Sequence, residues 1–288
     1  MQAVKLAAIG SLKNDKLWLL AIATSLIAIH LTLISRANDA SLLGTSALFW
    51  LAVASLVWAK QDNLILSSRT VASFCGISLV SLVLIKSAFV FEYDYFLRLS
   101  PLLSTIGVAL LASGFKGLKQ YWQELLILCF LIPSPGAIAL VIDISTFTAQ
   151  FATVILWYAG FDVVQQGVFV NLPTGSVEVY PGCSGIESML QMLGLAVLFL
   201  VIFPTNRQDK ICLPILAIAI AFAVNGFRVA LMAVLAASSD SQALYYWHKG
   251  DGSLIFSTIS VLILGCYCLC LLRRDNAGSN NSMEHSEL

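Results

Sequence analysis

Eight stretches of the chain, each about 20 residues long and almost wholly apolar, alternate with short polar connections. They fall at about 17–35, 41–59, 71–91, 99–115, 123–142, 183–204, 211–237 and 253–272. A helix of roughly 20 residues matches the roughly 30 Å hydrocarbon core of a bilayer. The pattern therefore predicts about eight transmembrane helices in an all-α polytopic membrane protein. Two places break the rhythm. "FLIPSPG" (130–136) sets Pro133 and Pro135 inside the fifth apolar run, where their missing N–H groups kink or end a helix. The stretch 138–158 then reads either as the rest of that crossing or as a helix on the outer surface. Residues 163–180, "VVQQGVFVNLPTGSVEVY", carry two valine-rich runs around Pro173-Thr174-Gly175-Ser176 and predict a short β-hairpin. No internal repeat or second domain shows, so residues 1–275 read as one integral membrane domain. The polar stretch 276–288 reads as a disordered cytoplasmic tail.

Composition agrees with that class. Hydrophobic residues make up 59% and charged residues 11%, against roughly 45–50% and about 25% in soluble domains. The first apolar run, Leu17 to Ser35, lacks a small-residue cleavage site and reads as an ordinary span. Formal net charge is zero, which gives nucleic acid nothing to bind. Lysine and arginine set the orientation, because short cytoplasmic loops are enriched in them. One set of connections holds Lys5, Lys13, Lys16, Lys60, Arg69, Lys116, Lys119, Arg207, Lys210, Arg273 and Arg274. The opposite set holds only Arg36, Arg98 and Lys249. Both termini are therefore expected in the cytoplasm, with the hairpin outside.

Candidate chemistry concentrates on that outer side. Cys183, in "YPGCSGIESM" (180–189), stands where the sixth apolar run begins. A thiol inside a membrane helix is commonly just a small apolar side chain. At a helix start flanked by Pro-Gly and Ser-Gly, the dipole and free N–H groups favour a thiolate and could serve an oxyanion. Arg228, in "NGFRVALMA" (225–233), lies two to three turns from the outer end of the seventh run. Burying such a cation costs roughly 3 kcal/mol or more unless it is paired or lines a wet cavity. His248, in "YYWHKGDGSLIF" (245–256), sits in the outer loop before the eighth run. His30 falls in the first run and His285 in the tail. Glu187, one turn past Cys183, could pair with Arg228 or orient His248. Asp251 could orient His248, but its position reads first as a loop residue capping the last span. Lys86, near a span end, can snorkel to the headgroups. Cys266, Cys268 and Cys270 are spaced so that the middle thiol points away from the others, which argues against a metal site. Seven cysteines, mostly inside apolar runs, make no disulfide framework.

These residues together resemble the exosortase family of bacterial membrane cysteine peptidases, and in particular its cyanobacterial branch, the cyanoexosortases. The resemblance rests on Cys183-Ser184-Gly185-Ile186 at a span start, Asn225 and Arg228 in the next span, and His248 followed by Gly250 or Gly252 and Phe256. It covers about 120–272, the catalytic part. It implies a multi-pass enzyme of the bacterial plasma membrane acting on its extracytoplasmic side. Its substrates would be exported proteins ending in a sorting signal of the PEP-CTERM type: a proline-containing motif, one transmembrane helix and a basic tail. The reaction implied is cleavage through a thioester, with Cys183 as nucleophile, His248 moving protons, and Arg228 stabilising the oxyanion or binding the motif. Ser184, Gly185, Glu187 and Asn225 would support them. No cofactor or metal is required; membrane lipid is the only other partner. The competing reading is a transporter or channel subunit in which Arg228 and Lys86 line a path for an anion. It leaves Cys183 and its flanking residues unexplained.

Overall fold

The computed structural model describes residues 15–92, 94–203, 205–238, 240–248 and 252–284. The protein is mostly helical, with six helical segments long and apolar enough to cross a membrane among the described residues. These are Lys16–Arg36, Ala40–Ala59, Thr70–Ala88, Phe96–Cys129, Arg207–Ala237 and Gly252–Arg274. A seventh apolar helix, Ile186–Ile202, is only 17 residues long, or about 26 Å. The chain divides into two compact units, one ending at Ser134 and one beginning at Pro135.

The first unit holds α1 (Asp15–Arg36), α2 (Ala40–Ala59), α3 (Thr70–Ala88), α4 (Phe96–Gly117) and α5 (Trp122–Cys129), with a 3₁₀ turn over Leu118–Tyr121. The expected fifth crossing at 123–142 is not one helix. Its first part continues α4, which kinks at Gly114, and α5 stops at Cys129 before the proline pair. Arg98, 7% exposed, donates from Nη1 to the Pro133 carbonyl at 3.1 Å and supplies a partner that the broken helix cannot. Pro101 creates a similar vacancy inside α4. Lacking an N–H, it leaves the Leu97 carbonyl without its helical donor. His30 fills it: Trp50 Nε1 donates to His30 Nδ1 at 3.0 Å, and His30 Nε2 then donates to Leu97 O at 2.9 Å. His30 thus pins α1, α2 and α4 together. Lys60 pairs with the fully buried Glu124 at 2.8 Å, and Lys86 pairs with Asp94 at 3.0 Å.

The second unit holds α6 (Pro135–Ala139), α7 (Ser145–Tyr158), three strands, α8 (Ile186–Ile202), α9 (Arg207–Ala237), α10 (Ser241–His248) and α11 (Gly252–Glu284). The stretch 138–158 holds α7, whose 14 residues are too short to cross a bilayer alone. The expected hairpin gains a strand: β1 (Val164–Gln166), β2 (Phe169–Leu172) and β3 (Gly175–Glu178) form an antiparallel sheet in that order. Helix α9 is the spine. Its C-terminal half packs Val229, Ala230 and Ala233 against Ala149 and Ala152 of α7, Val170 of β2 and Val179 just past β3. Its other half packs Leu213, Ala217 and Ala221 against α8 and α11. Asp209, 4% exposed, is ion-paired with Arg274 and ties the start of α9 to α11. Helix α11 runs on to Glu284. Extending an existing helix avoids the cost of nucleating one. His285 lies outside the described residues.

Candidate active site

Cys183 closes a 3₁₀ turn, Pro181–Cys183, rather than opening the span helix. Its N–H donates to the Tyr180 carbonyl at 2.8 Å, and Ser184 N–H reaches the Pro181 carbonyl at 3.3 Å. Gly185 follows at φ +93° and turns the chain into α8. Only glycine enters that left-handed region without strain, and a Cβ there would lie 2.8 Å from Asn225 Nδ2. Three side chains hold this turn. Asn225, 4% exposed on α9, donates to the Cys183 carbonyl at 3.0 Å. Thr148, fully buried on α7, donates to the Ser184 carbonyl at 2.8 Å. Ser184 Oγ donates to the Pro181 carbonyl at 2.7 Å. The turn's carbonyls are thus satisfied from two helices, as buried backbone groups require. The sulfur is left half-exposed.

His248 ends α10 and faces that sulfur, with Nε2 3.4 Å from Cys183 Sγ. The Tyr180 hydroxyl lies 3.3 Å from the same nitrogen. Arg228 approaches from α9 and donates from Nη2 to the His248 carbonyl at 2.9 Å, which fixes the end of α10. Its Nε is buried and has no hydrogen-bond partner among the described residues. Behind His248, Trp247 packs edge-on against Phe256 at 5.9 Å, and a Cβ at Gly252 would strike Tyr246 and Trp247. Gly252 and Phe256 therefore brace the helix that presents the imidazole. Gly250, Lys249 and Asp251 lie outside the described residues. Glu187 sits half-buried in the first turn of α8 and does not line the pocket that Cys183, Arg228 and His248 share.

That pocket has a volume of about 160 Å³, with Val229 and Met232 of α9 among its apolar lining. Cys183, Arg228 and His248, far apart in sequence, meet there. Tyr180 joins them without having been anticipated. It lies three residues before Cys183, and in a 3₁₀ turn that spacing puts two side chains on one face. Its phenol is pushed up to about 12, first by the hydrogen bond to Cys183, then by burial and the sulfur's charge, against the opposing Arg228 cation. It is therefore a neutral donor at physiological pH. Thr148 was also missed, because a hydroxyl 36 residues from its acceptor carries no local signal. Cys266 and Cys268 belong to α11, and no cluster of metal-ligating side chains occurs among the described residues.

Fold and site together describe a multi-pass membrane protein that presents a cysteine–histidine pair at a turn between helices. The family model for transmembrane exosortase matches residues 15–265. The chain belongs to the exosortase family, whose members are membrane-embedded sorting enzymes. No curated protein and no solved structure matches it.

Proposed function

We propose that the protein is a cysteine endopeptidase or transpeptidase of the bacterial plasma membrane, of the cyanobacterial exosortase branch, that cleaves C-terminal sorting signals from exported proteins. The observation that carries this reading is the 3.4 Å approach of His248 Nε2 to Cys183 Sγ. That distance lets imidazole take the thiol proton, which creates the nucleophile that thiol chemistry requires. The sulfur attacks the scissile carbonyl to give a tetrahedral oxyanion. Collapse breaks the C–N bond, and His248 returns its proton to the leaving amine. The enzyme is left as a thioester. Water or an acceptor amine then attacks the thioester carbonyl, giving its proton to His248, and the sulfur leaves as thiolate.

Tyr180 supports the sulfur as a neutral donor. Arg228 holds the His248 carbonyl and lines the pocket, where it serves the oxyanion or the sorting motif. The test uses an exported reporter ending in a proline-containing motif, a transmembrane helix and a basic tail. Co-expression with this protein should remove the tail, and a reporter that stays intact would refute the reading.

In this reading both termini lie in the cytoplasm and the pocket outside, which the distribution of lysine and arginine over the connections supports. Thr174→Cys and Ser241→Cys, in a background stripped of reactive thiols, should be labelled from outside by an impermeant reagent, whereas Gln208→Cys should not. The reverse pattern would put the pocket on the wrong side for exported substrates.

A further inference from the structure

We infer that the substrate binds by adding a strand to the free edge of β3, so that main-chain hydrogen bonds at Glu178 lead the scissile bond to Cys183. This deepens the peptidase reading and rests on it. Among the described residues, the sheet order β1-β2-β3 leaves β3 paired with a strand on one side only. Register shows which of its groups remain. Leu172 faces Gly175, Val170 faces Val177, and Val179 N–H donates to Val168 O at 2.9 Å. Positions 175, 177 and 179 therefore form the hydrogen-bonded pairs with β2. In an antiparallel ladder the alternate residues, Ser176 and Glu178, turn their N–H and C=O outward.

The pocket lies along that edge. A strand face presents every second residue, yet Val177, Glu178, Val179 and Tyr180 all line the pocket in succession. Four consecutive residues line a cavity when it meets the strand from the side. The rest of the lining comes from α10, through Leu244 and His248, and from α9, through Arg228, Val229 and Met232. A Cβ at Gly175 would come within 2.8 Å of the Ala236 carbonyl, so β3 lies tight against α9 at its far end. Cys183 and His248 stand at the other end. At about 3.3 Å per residue, four residues of edge match a bound segment of three or four residues. An extended polypeptide can use an outward N–H and an outward C=O together, in the manner of strand addition. A lipid acyl chain can use neither. The occupant is therefore the stretch of substrate chain beside the cleaved bond.

The decisive variant is Glu178→Pro, which deletes the outward N–H while leaving the β2 ladder whole. Proline is tolerated on such an edge. Glu178→Ala, which keeps the N–H and loses the carboxylate, is its control. Glu178→Pro should lower kcat/KM on the reporter roughly tenfold, the value of a hydrogen bond lost. Glu178→Ala, which removes only what the carboxylate contributes, should lose clearly less than Glu178→Pro, and equal losses in the two would overturn the role of the N–H. A second measurement keeps the native enzyme. Synthetic peptides spanning the bond cleaved in the reporter, located by mass spectrometry, are N-methylated one position at a time and tested as competitors of detergent-solubilised enzyme. Loss of competition at every second position supports strand addition. Competition unaffected at every position, or lost without alternation, overturns it, as does acyl-chain occupancy of the slot with Glu178→Pro fully active. Failure of the peptidase reading itself would look different, because Cys183→Ala would then still trim the reporter, and both would fall.

Discussion

Cys183→Ala should leave the reporter untrimmed, a loss of at least about 10⁴-fold, with insertion and abundance unchanged. The contrast between lost activity and kept fold follows from how the turn is held. Asn225 and Thr148 bond to the Cys183 and Ser184 carbonyls, which alanine at 183 retains. Gly185 still makes its left-handed turn, and only a half-exposed sulfur disappears. His248→Ala should lose a comparable factor, and the double variant should lose little more than either alone, because the pair acts as a unit. Measured trimming rates in membranes, normalised to immunodetected protein, decide this. Trimming by the Cys183→Ala protein at a tenth of the wild-type rate would remove the nucleophile from the account.

Arg228→Lys should lower turnover by about 10²–10³ while leaving KM near its wild-type value. Lysine keeps the charge but not the planar fork that can hold the His248 carbonyl and still present donors to the pocket. A motif-binding arginine would behave otherwise: its loss would raise KM, because the contact already exists in the ground state. Changing an acidic residue of the sorting motif to its amide separates the two. The oxyanion role predicts independent penalties in the doubly changed pair. The clamp role predicts that the amide costs the wild-type enzyme much and Arg228→Lys little. Arg228→Ala adds a third readout, since losing the bond to the His248 carbonyl should free the end of α10 and speed amide exchange over 241–248. Wild-type rates in Arg228→Ala would reject both roles.

Much of this was legible from residue types and spacing, and the limits have physical causes. Apolar runs report burial in lipid but not continuity of a helix. Pro133 and Pro135 announced a break, yet only the packed structure shows α4 and α5 sharing one 34-residue run while 123–142 fails to form a single span. Cys183, Arg228 and His248 were legible as a group because loop charges predicted a common side and each type is costly or reactive in its setting. The turn that shapes the site was not. The helix start expected at Cys183 lies at Ile186, because Gly185 adopts a positive φ that the letter G permits without requiring. Tyr180 stood in plain view, but its role depends on a 3₁₀ turn that joins it to the sulfur. Thr148 and the His30–Trp50–Leu97 chain depend on contacts between distant segments, which a single sequence does not encode locally.

The central claim is that Cys183 carries the substrate as a thioester. Enzyme turning over the reporter, quenched in acid and digested, should yield the peptide containing Cys183 with a mass increased by the reporter residues immediately amino-terminal to the cleaved bond, joined through their new terminal carbonyl, and hydroxylamine should remove the adduct. A fragment attached at another residue, or rapid trimming in which Cys183 stays alkylatable and unmodified throughout, would contradict it.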